Sequence, residues 1–546
     1  MKIRIVTTDA PAVELEAAPG TPFSQAVWLS GRVAPVPLCA GLGRCGRCRV
    51  RFVRNPPLPL PAEEEVLSRE ELGMGWRLAC RRQISDDNAA FLEIELPQTL
   101  LQDRADSVDA VAARPEAGEG TDVMPLFLAV DVGTTSVQWI ALAASGRNRG
   151  SAVARGAFLN PQAGAGADIM SRLAFAAKPE GRRLLSSLVR EALRRVIARL
   201  AEGAGRVDRV CLAANTAMTD IFLDRDVSGL MAAPYHTGHD GNEVARLPDL
   251  PPVYIPPLPA PFVGGDAAAA LLSLLHAGMP RPFVLADMGT NAEMALVTAS
   301  GGVFMTSAPL GPALEGIGME CGRLAGPDAV TRFSLSPVGL EAFTAGIARG
   351  ISATGYISLL ALLRRIGLLD ESGRFAEAGV CVMPLARRIS ASFVRERGRL
   401  RLPLPGGLWL SAGDVEEVLK VKAAFALALE KLLAAGGVAG RDVERICLAG
   451  ALGEYVSGED MVTLGFVPRG LPVRAVGNAA LAGAALLALK PEKGAALARI
   501  CRKARQIFPA RDAAFQREYL ERFGFGNSDF AASGGQARAG GESRHS

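Results

Sequence analysis

Apolar and polar positions alternate from the first residues. Met1-Lys-Ile-Arg-Ile-Val predicts a strand over residues 3–6, and residues 12–16 predict its partner across a turn. Thr21 is placed to cap a helix running to about Ser30. Residues 91–96 alternate apolar and acidic side chains, the pattern of an edge or surface strand. Residues 1–97 therefore read as one α+β unit. The stretch 98–124 is polar, lacks a period and reads as a linker. From Pro125 to about Leu489 apolar strands are followed by Gly turns and amphipathic helices, an α/β pattern. Residues 491–525 look helical, and 526–546 have the Gly-, Ser-, Ala- and Arg-rich composition of a disordered tail.

The α/β region repeats itself. Leu128-Ala-Val-Asp-Val-Gly-Thr-Thr-Ser-Val resembles Leu285-Ala-Asp-Met-Gly-Thr-Asn-Ala-Glu-Met. Val207-Asp-Arg-Val-Cys-Leu-Ala-Ala resembles Val443-Glu-Arg-Ile-Cys-Leu-Ala-Gly. The order is the same in both halves, with a wider gap in the second. A duplicated α/β domain is expected, with lobes at 125–285 and 286–490 and an insertion near 300–410.

Composition narrows the function. Nearly half of the 546 residues are apolar, which excludes global disorder. A net charge of +4 is far below the basic excess of a nucleic-acid binder. The longest apolar run, residues 479–489, is too short for a membrane span, and the N-terminus has no signal-peptide core. A cytoplasmic protein with reduced thiols is expected. Of nine cysteines, four fall in the first 80 residues and five are scattered singly.

The four are Cys39, Cys45, Cys48 and Cys80, spaced Cys-x5-Cys-x2-Cys with the last far downstream. Thiolates hold soft metals, and Cys-x2-Cys lets one tight turn present two sulfurs. A structural zinc site normally uses two such knuckles, and only one is present. Gly41, Gly43 and Gly46 let backbone N–H groups approach inorganic sulfide. This segment, with Gly75-Trp-Arg-Leu-Ala-Cys80, resembles ferredoxins of the x5-spaced adrenodoxin kind. The resemblance implies a [2Fe–2S] cluster on a β-grasp fold, with the four cysteines as ligands. Arg44, Arg47 and Arg49 beside them are candidates for tuning the cluster or docking an acidic partner; a solvated rim is the alternative.

In the duplicated region, Asp131-Val-Gly-Thr-Thr and Asp287-Met-Gly-Thr-Asn end apolar strands in tight turns. Backbone N–H and hydroxyl groups at such turns surround phosphate oxygens, and an Asp there holds Mg²⁺ through water. Leu448-Ala-Gly-Ala-Leu-Gly supplies a third turn, where Gly450 and Gly453 allow a nucleoside to approach. Neither a Walker nor a Rossmann fingerprint occurs at these turns. The set resembles the acetate and sugar kinase, heat-shock chaperone and actin superfamily. That resemblance implies an ATP-binding, actin-like fold. Asp131, Gly133, Thr134 and Thr135 match its phosphate-1 motif. Asp287, Gly289, Thr290 and Asn291 match phosphate-2, and Gly450 and Gly453 match the adenosine turn.

Further segments are Asn160-Pro-Gln, Asn215-Thr-Ala-Met, Phe262-Val-Gly-Gly-Asp, Pro309-Leu-Gly-Pro-Ala-Leu-Glu-Gly and Val476-Gly-Asn. Together with the two modules they resemble the reductive activators of corrinoid proteins, over residues 1 to about 490. The resemblance implies ATP-dependent reduction of Co(II) corrinoid to Co(I), a corrinoid protein and a low-potential reductant or reductase as partners, and homodimerisation as an option. Asp131 and Asp287 are catalytic candidates through Mg²⁺, Asn215 is a candidate nucleotide contact, and Glu293, near the expected phosphate cleft, is a candidate catalytic group that orients water or Mg²⁺, with a helix cap as the alternative. An ATP-coupled donor to another low-potential enzyme and a redox-sensing nucleotide-binding regulator are the alternatives.

The remaining residues are read plainly. His236 and His239 are loop residues. Cys211 and Cys447 are buried apolar positions. Glu63-Glu-Glu65 is a solvated helix start or a docking patch, and Glu315 a helix cap or water-orienting group.

Overall fold

The computed structural model describes residues 1–6, 12–36, 38–39, 41–85, 92–97, 107–109, 123–377, 379, 381, 383–396, 398–453 and 455–526. Most of the stretch read as a linker, and residues 527–546 of the tail, lie outside them.

Five strands form the N-terminal sheet: β1 (Lys2–Val6), β2 (Val13–Glu16), β3 (Arg49–Phe52), β4 (Trp76–Leu78) and β5 (Leu92–Glu95). Their order is β2-β1-β5-β3-β4, with β1 and β5 parallel and the other pairs antiparallel. Helix α1 (Phe23–Trp28) covers one face, and Phe23, Val27 and Trp28 join Ile3, Ile5, Val50 and Ile94 in the core. Two expectations are corrected here. β5 is the central strand rather than an edge; its acidic alternation arises because its other face carries Glu93 and Glu95, each ion-paired to an arginine. Thr21 does not cap α1, because it and Pro22 pair with Ile84 and Gln83 instead.

The first lobe is built on β6 (Ser107–Asp109), β7 (Pro125–Val132), β8 (Ser136–Ala143), β9 (Ala152–Leu159), β10 (Arg206–Ala214), β11 (Glu243–Ala245) and β12 (Val253–Ile255), in the order β11-β12-β10-β7-β8-β9-β6. β6 comes from the stretch read as a linker. Helices α2 (Ile169–Ala176), α3 (Pro179–Gly203) and α4 (Thr216–Phe222) pack around this sheet, and α5 (Gly265–His276) follows.

The second lobe repeats the plan. Its strands are β13 (Phe283–Met288), β14 (Asn291–Val297), β15 (Val303–Pro309), β16 (Arg445–Ala449), β17 (Val473–Ala475) and β18 (Arg505–Gln506), in the order β17-β16-β13-β14-β15-β18. In each lobe two successive antiparallel pairs follow the aspartate-bearing strand, which also pairs parallel with the cysteine-bearing one. The register makes the duplication explicit. Asp131 lies opposite Ala213, two residues after Cys211, and Asp287 lies opposite Ala449, two residues after Cys447. Both cysteines are fully buried. Between β15 and β16 the second lobe adds hairpins Arg332–Ser336/Gly339–Phe343 and Arg399–Leu404/Leu408–Ser411, with helices α6 (Ala353–Arg365) and α7 (Ala412–Gly436).

Helix α8 (Ala479–Leu489) explains the long apolar run. Together with α5 it lies between the two sheets. Ala268, Ala269, Ala484, Leu487 and Ala488 face the first. Ala267, Ala270, Leu271, Leu274, Ala479 and Ala480 face the second. A helix buried on both sides must be apolar all round. The two helices meet so closely that a Cβ on Gly483 would stand 1.8 Å from the Ala269 carbonyl. Helices α9 (Lys493–Lys503) and α10 (Phe515–Glu521) complete the fold. The buried Lys422 Nζ of α7 donates to the carbonyls of Arg522 and Gly526 at 3.2 and 3.3 Å, pinning that end to the second lobe. Among the described residues no helix is long and apolar enough to cross a membrane.

Candidate functional site

The two aspartate turns face a common cleft. After β7 the chain reverses at Gly133, whose N–H donates to Ser136 O at 3.0 Å. A Cβ there would sit 2.9 Å from that oxygen. The turn is fixed from behind. Asn160 Nδ2 donates to Gly133 O at 2.8 Å, the Asn160 N–H to Thr135 O at 2.8 Å, and the buried Arg172 guanidinium to Thr134 O. Because a trans peptide sets N–H opposite C=O, the N–H groups of Thr134 and Thr135 point away from Asn160 and Arg172. The second turn repeats the reversal: Gly289 N–H donates to Asn291 O at 2.9 Å, and Leu310 N–H to Thr290 O at 3.1 Å.

Two side-chain bonds tie elements of opposite lobes. Asn478, which caps α8, donates to Asp131 Oδ2 at 2.7 Å. Asn215, which caps α4, donates to Glu293 Oε1 at 3.2 Å. Glu293 stands directly opposite Asp287 in the β13–β14 pair, where the first lobe has Gln138 opposite Asp131. Asp266 at the start of α5 adds a fourth carboxyl, and its Oδ1 accepts the Ala267 N–H at 2.7 Å.

All four acids are half-buried, and desolvation is the main force on each. It pushes Asp131 up to about 6, with the Asn478 bond opposing. It pushes Asp266 up to about 7, with repulsion from Asp131 adding. Asp287 is pushed up to about 8 by burial, Asp131 and Asp266. Glu293 is raised well above the carboxylate range by burial, Asp266 and Asp287. Among the described residues no guanidinium or ammonium is a leading cause of these shifts. Such a donor set suits a hydrated divalent cation, which supplies the missing positive charge. Among the described residues no three His, Cys, Asp or Glu group as direct ligands of one ion.

The sequence-predicted residues thus come together: Asp131, Gly133, Thr134, Thr135, Asn215, Asp287, Gly289, Thr290, Asn291, Glu293 and Gly450. Gly450, at φ +82°, begins the turn after β16, and a Cβ there would lie 2.5 Å from Asp287 Oδ1 and 2.8 Å from Met288 O. Gly453 instead faces its own strand, with the Leu448 carbonyl carbon 2.7 Å from where a Cβ would stand. Gly450→Ala is expected to weaken MgATP binding by about tenfold or more, since the methyl displaces the Asp287 carboxyl from a turn that also needs positive φ. Titration calorimetry against wild type checks this.

Sequence reasoning assigned no role to Asp266 and Asn478. The signals were the Gly264-Gly265 pair before Asp266 and the cap position before the apolar run. Gly264 in particular is forced, since a Cβ there would approach Ala214 O to 2.4 Å.

The four N-terminal cysteines also converge. The Cys39 thiol neighbours those of Cys45 and Cys80, and the Cys80 thiol neighbours that of Cys48. The Cys80 N–H points to Cys48 Sγ at 3.5 Å. These contacts draw Cys39 and Cys48 toward thiolate and push Cys45 and Cys80 toward thiol. Gly41, Gly43 and Gly46 all take positive φ, shaping the loop that carries the first three. Four soft donors within one loop-wrapped patch fit a two-iron cluster.

Several neighbours differ from expectation. Arg47 is engaged within the chain, its Nη2 donating to Gly316 O at 2.5 Å and Gly322 O at 3.3 Å. Arg49 binds Gly46 O and Glu71. Glu63 is no solvated helix start: it is fully buried, paired with Arg82 at 2.6 Å and accepting the Leu60 and Leu78 N–H groups. His239 has carboxylates on both ring nitrogens, Asp220 at 2.8 Å and Glu243 at 2.7 Å, of which Asp220 is distant in sequence.

The family model described as the RACo middle region matches residues 126–279, and that of the C-terminal domain of RACo, the ASKHA domain, matches residues 281–533. The chain belongs to the family of reductive activators of corrinoid proteins. Among relatives of this family, the corrinoid activation enzyme RamQ of Eubacterium limosum is 27% identical over 434 residues, covering 74% of this chain and 71% of RamQ. The [Co(II) methylated amine-specific corrinoid protein] reductase of Methanosarcina barkeri is 25% identical over 405 residues, 65% of this chain and 69% of that protein. A solved reductive activator for corrinoid, iron–sulfur protein superposes with a TM-score of 0.64 at 22% identity, covering 96% of this chain and 98% of that one. The fold shared with it is a mixed α/β multidomain architecture carrying an ASKHA domain.

Proposed function

We propose that this chain reductively activates a corrinoid protein, spending ATP to return its Co(II) to Co(I). The observation that carries the reading is the joining, in one chain of this family, of a four-thiol patch to a cleft of two phosphate-type turns and four half-buried acids. The N-terminal unit is then a β-grasp ferredoxin. A [2Fe–2S] cluster held by Cys39, Cys45, Cys48 and Cys80 would supply single electrons: its reduced form loses one as Co(II) gains one. Asp131 and Asp287 would hold Mg²⁺, which would neutralise phosphate charge, while the N–H groups of the two turns would orient phosphate oxygens. Asp266 or Glu293 would accept a proton from water as it attacks the terminal phosphate, whose bond to ADP breaks. Gly450 gives the nucleoside access to the backbone.

Energetically, Co(I) is a strong reductant, so its formation from an iron–sulfur donor is uphill. Nucleotide helps only by binding one partner state better than another. The test is anaerobic: cluster-loaded protein, a chemical reductant and a Co(II) corrinoid protein, with and without MgATP. Growth of Co(I) absorbance only with MgATP is expected. Equal growth without nucleotide rejects the ATP requirement, and no growth with any corrinoid protein rejects the substrate.

A further inference from the structure

The loop that carries Cys39, Cys45 and Cys48 is tied at its two ends to different lobes. At one end, Leu38 O accepts the Ala167 N–H of the first lobe at 3.0 Å. At the other, Arg47 donates to the Gly316 and Gly322 carbonyls of the second lobe. Each tie lies beside a cluster cysteine, Leu38 before Cys39 and Arg47 before Cys48.

Each tie also leads to a phosphate turn. Ala167 follows Gly166, whose carbonyl accepts from Arg172 at 3.0 Å, and Arg172 also donates to Thr134 O. Gly316 ends the segment that begins at Leu310, the residue bonded to Thr290 O.

The anchors are built, not incidental. Leu29, next to α1, is 4% exposed because it enters a first-lobe cluster with Ala165, Ile169, Leu173 and Ile221. Trp28 and Leu29 crowd Gly164, where a Cβ would come within 2.9 Å of the Trp28 backbone. On the other side, Gly316 and Gly322 are nested, a Cβ on Gly322 standing 2.1 Å from Gly316 O. The Glu320 N–H is fixed by Asp414 at 2.8 Å and its carboxylate by Arg401 and Trp409. Beside the first-lobe anchor a cleft of about 620 Å³, lined by Glu14, Gln25, Leu29, Arg32, Phe175 and Leu184, separates the N-terminal sheet from α2 and α3. The contact with that lobe is therefore an edge, which leaves room for rocking.

We propose that Arg47 is a positioning residue that couples lobe separation to the cluster loop: both ties hold at one separation of the lobes, and a nucleotide that changes it frees one end of the loop. This rests on nucleotide binding in the cleft as proposed above, and not on the identity of the electron acceptor.

The test uses cluster-loaded full-length protein and amide hydrogen exchange over residues 38–49, without nucleotide and with MgATP or MgADP. In wild type, MgATP should change exchange in the loop by about threefold or more. In Arg47→Ala the loop should exchange at the faster rate in every state, while MgATP affinity stays within roughly twofold and the visible spectrum of the cluster is kept. Leu29→Ala, remote from the thiols, should also abolish the nucleotide response; it decides the matter if Arg47→Ala cannot retain its cluster. A wild-type loop indifferent to bound MgATP overturns the proposal, as does a full response in both variants. Failure of MgATP to bind wild type overturns it together with the nucleotide reading, and calorimetry separates that outcome from the others.

Discussion

Cys48→Ser should abolish reduction of a corrinoid partner while MgATP still binds. Cys48 is 1% exposed, its thiol meets that of Cys80, and its sulfur faces the Cys80 N–H. A two-iron cluster needs four terminal ligands. Serine replaces a soft thiolate with a hard hydroxyl that stays protonated near neutral pH. The visible absorbance of the cluster should disappear and Co(I) formation should fall by roughly a hundredfold or more, as expected when a ligand rather than a supporting residue is removed. The Asp131 and Asp287 turns stand on other strands, so calorimetric affinity for MgATP should move by less than about twofold, additivity holding for separated sites. Cys381→Ala is the control: Cys381 is buried outside the quartet, and cobalt reduction should persist. Wild-type reduction rates from Cys48→Ser would remove the quartet from the electron path.

Asp287→Asn should lower ATP hydrolysis by roughly a hundred- to a thousandfold, the scale seen when a group stabilising transition-state charge is lost. The same substitution should stabilise the metal-free protein. Burial and its acidic neighbours push Asp287 up to about 8, so the folded state holds a proton that the unfolded chain releases near pH 4. The stability this provides is fully present below about pH 4 and is lost as pH rises toward 8. Asp266, pushed up to about 7, and Asp131, to about 6, titrate in the same window and steepen the loss. The thermal midpoint of wild type without Mg²⁺ should therefore fall between pH 5 and pH 8, and MgATP should restore it. Asparagine cannot ionise, so the variant should melt several degrees higher at pH 8 with a shallower slope. A variant that melts lower than wild type at pH 8, or hydrolyses ATP normally, contradicts this account. The expected pairing of gained stability with lost activity is common where function requires unfavourable burial.

The phosphate-type turns were legible because each is a local object: an apolar strand, an acid, a glycine and hydroxyls within six residues. The duplication was legible because Asp131 and Asp287, Cys211 and Cys447 recur in one order, and the paired registers match to the residue. Asp266 and Asn478 were not assigned, although both reach the cleft, because their partners are remote in sequence. Asn478 lies 347 residues from Asp131. Periodicity also misled in β5, whose alternation records one covered face and one ion-paired face and says nothing of its place in the sheet. Glu63 shows the converse limit. Its run of three acids has a surface composition, but a buried pocket made by Arg82 and two backbone N–H groups selects one of them. The engagement of Arg47 by a loop 269 residues away could not be read from the arginines beside Cys48.

The close meeting of Gly483 with Ala269 places a fulcrum between the lobes. Side chains this small leave little to compress, so the two helices can turn against each other but cannot separate without opening a void. Rotation is then the cheap motion, and distance from the fulcrum sets its reach. A turn of roughly 10° moves a point about 30 Å away by about 5 Å, the rise of one helical turn. That exceeds the length of any hydrogen bond. A rearrangement barely visible at the helix crossing is thus multiplied into a break or a capture at the rim of the molecule.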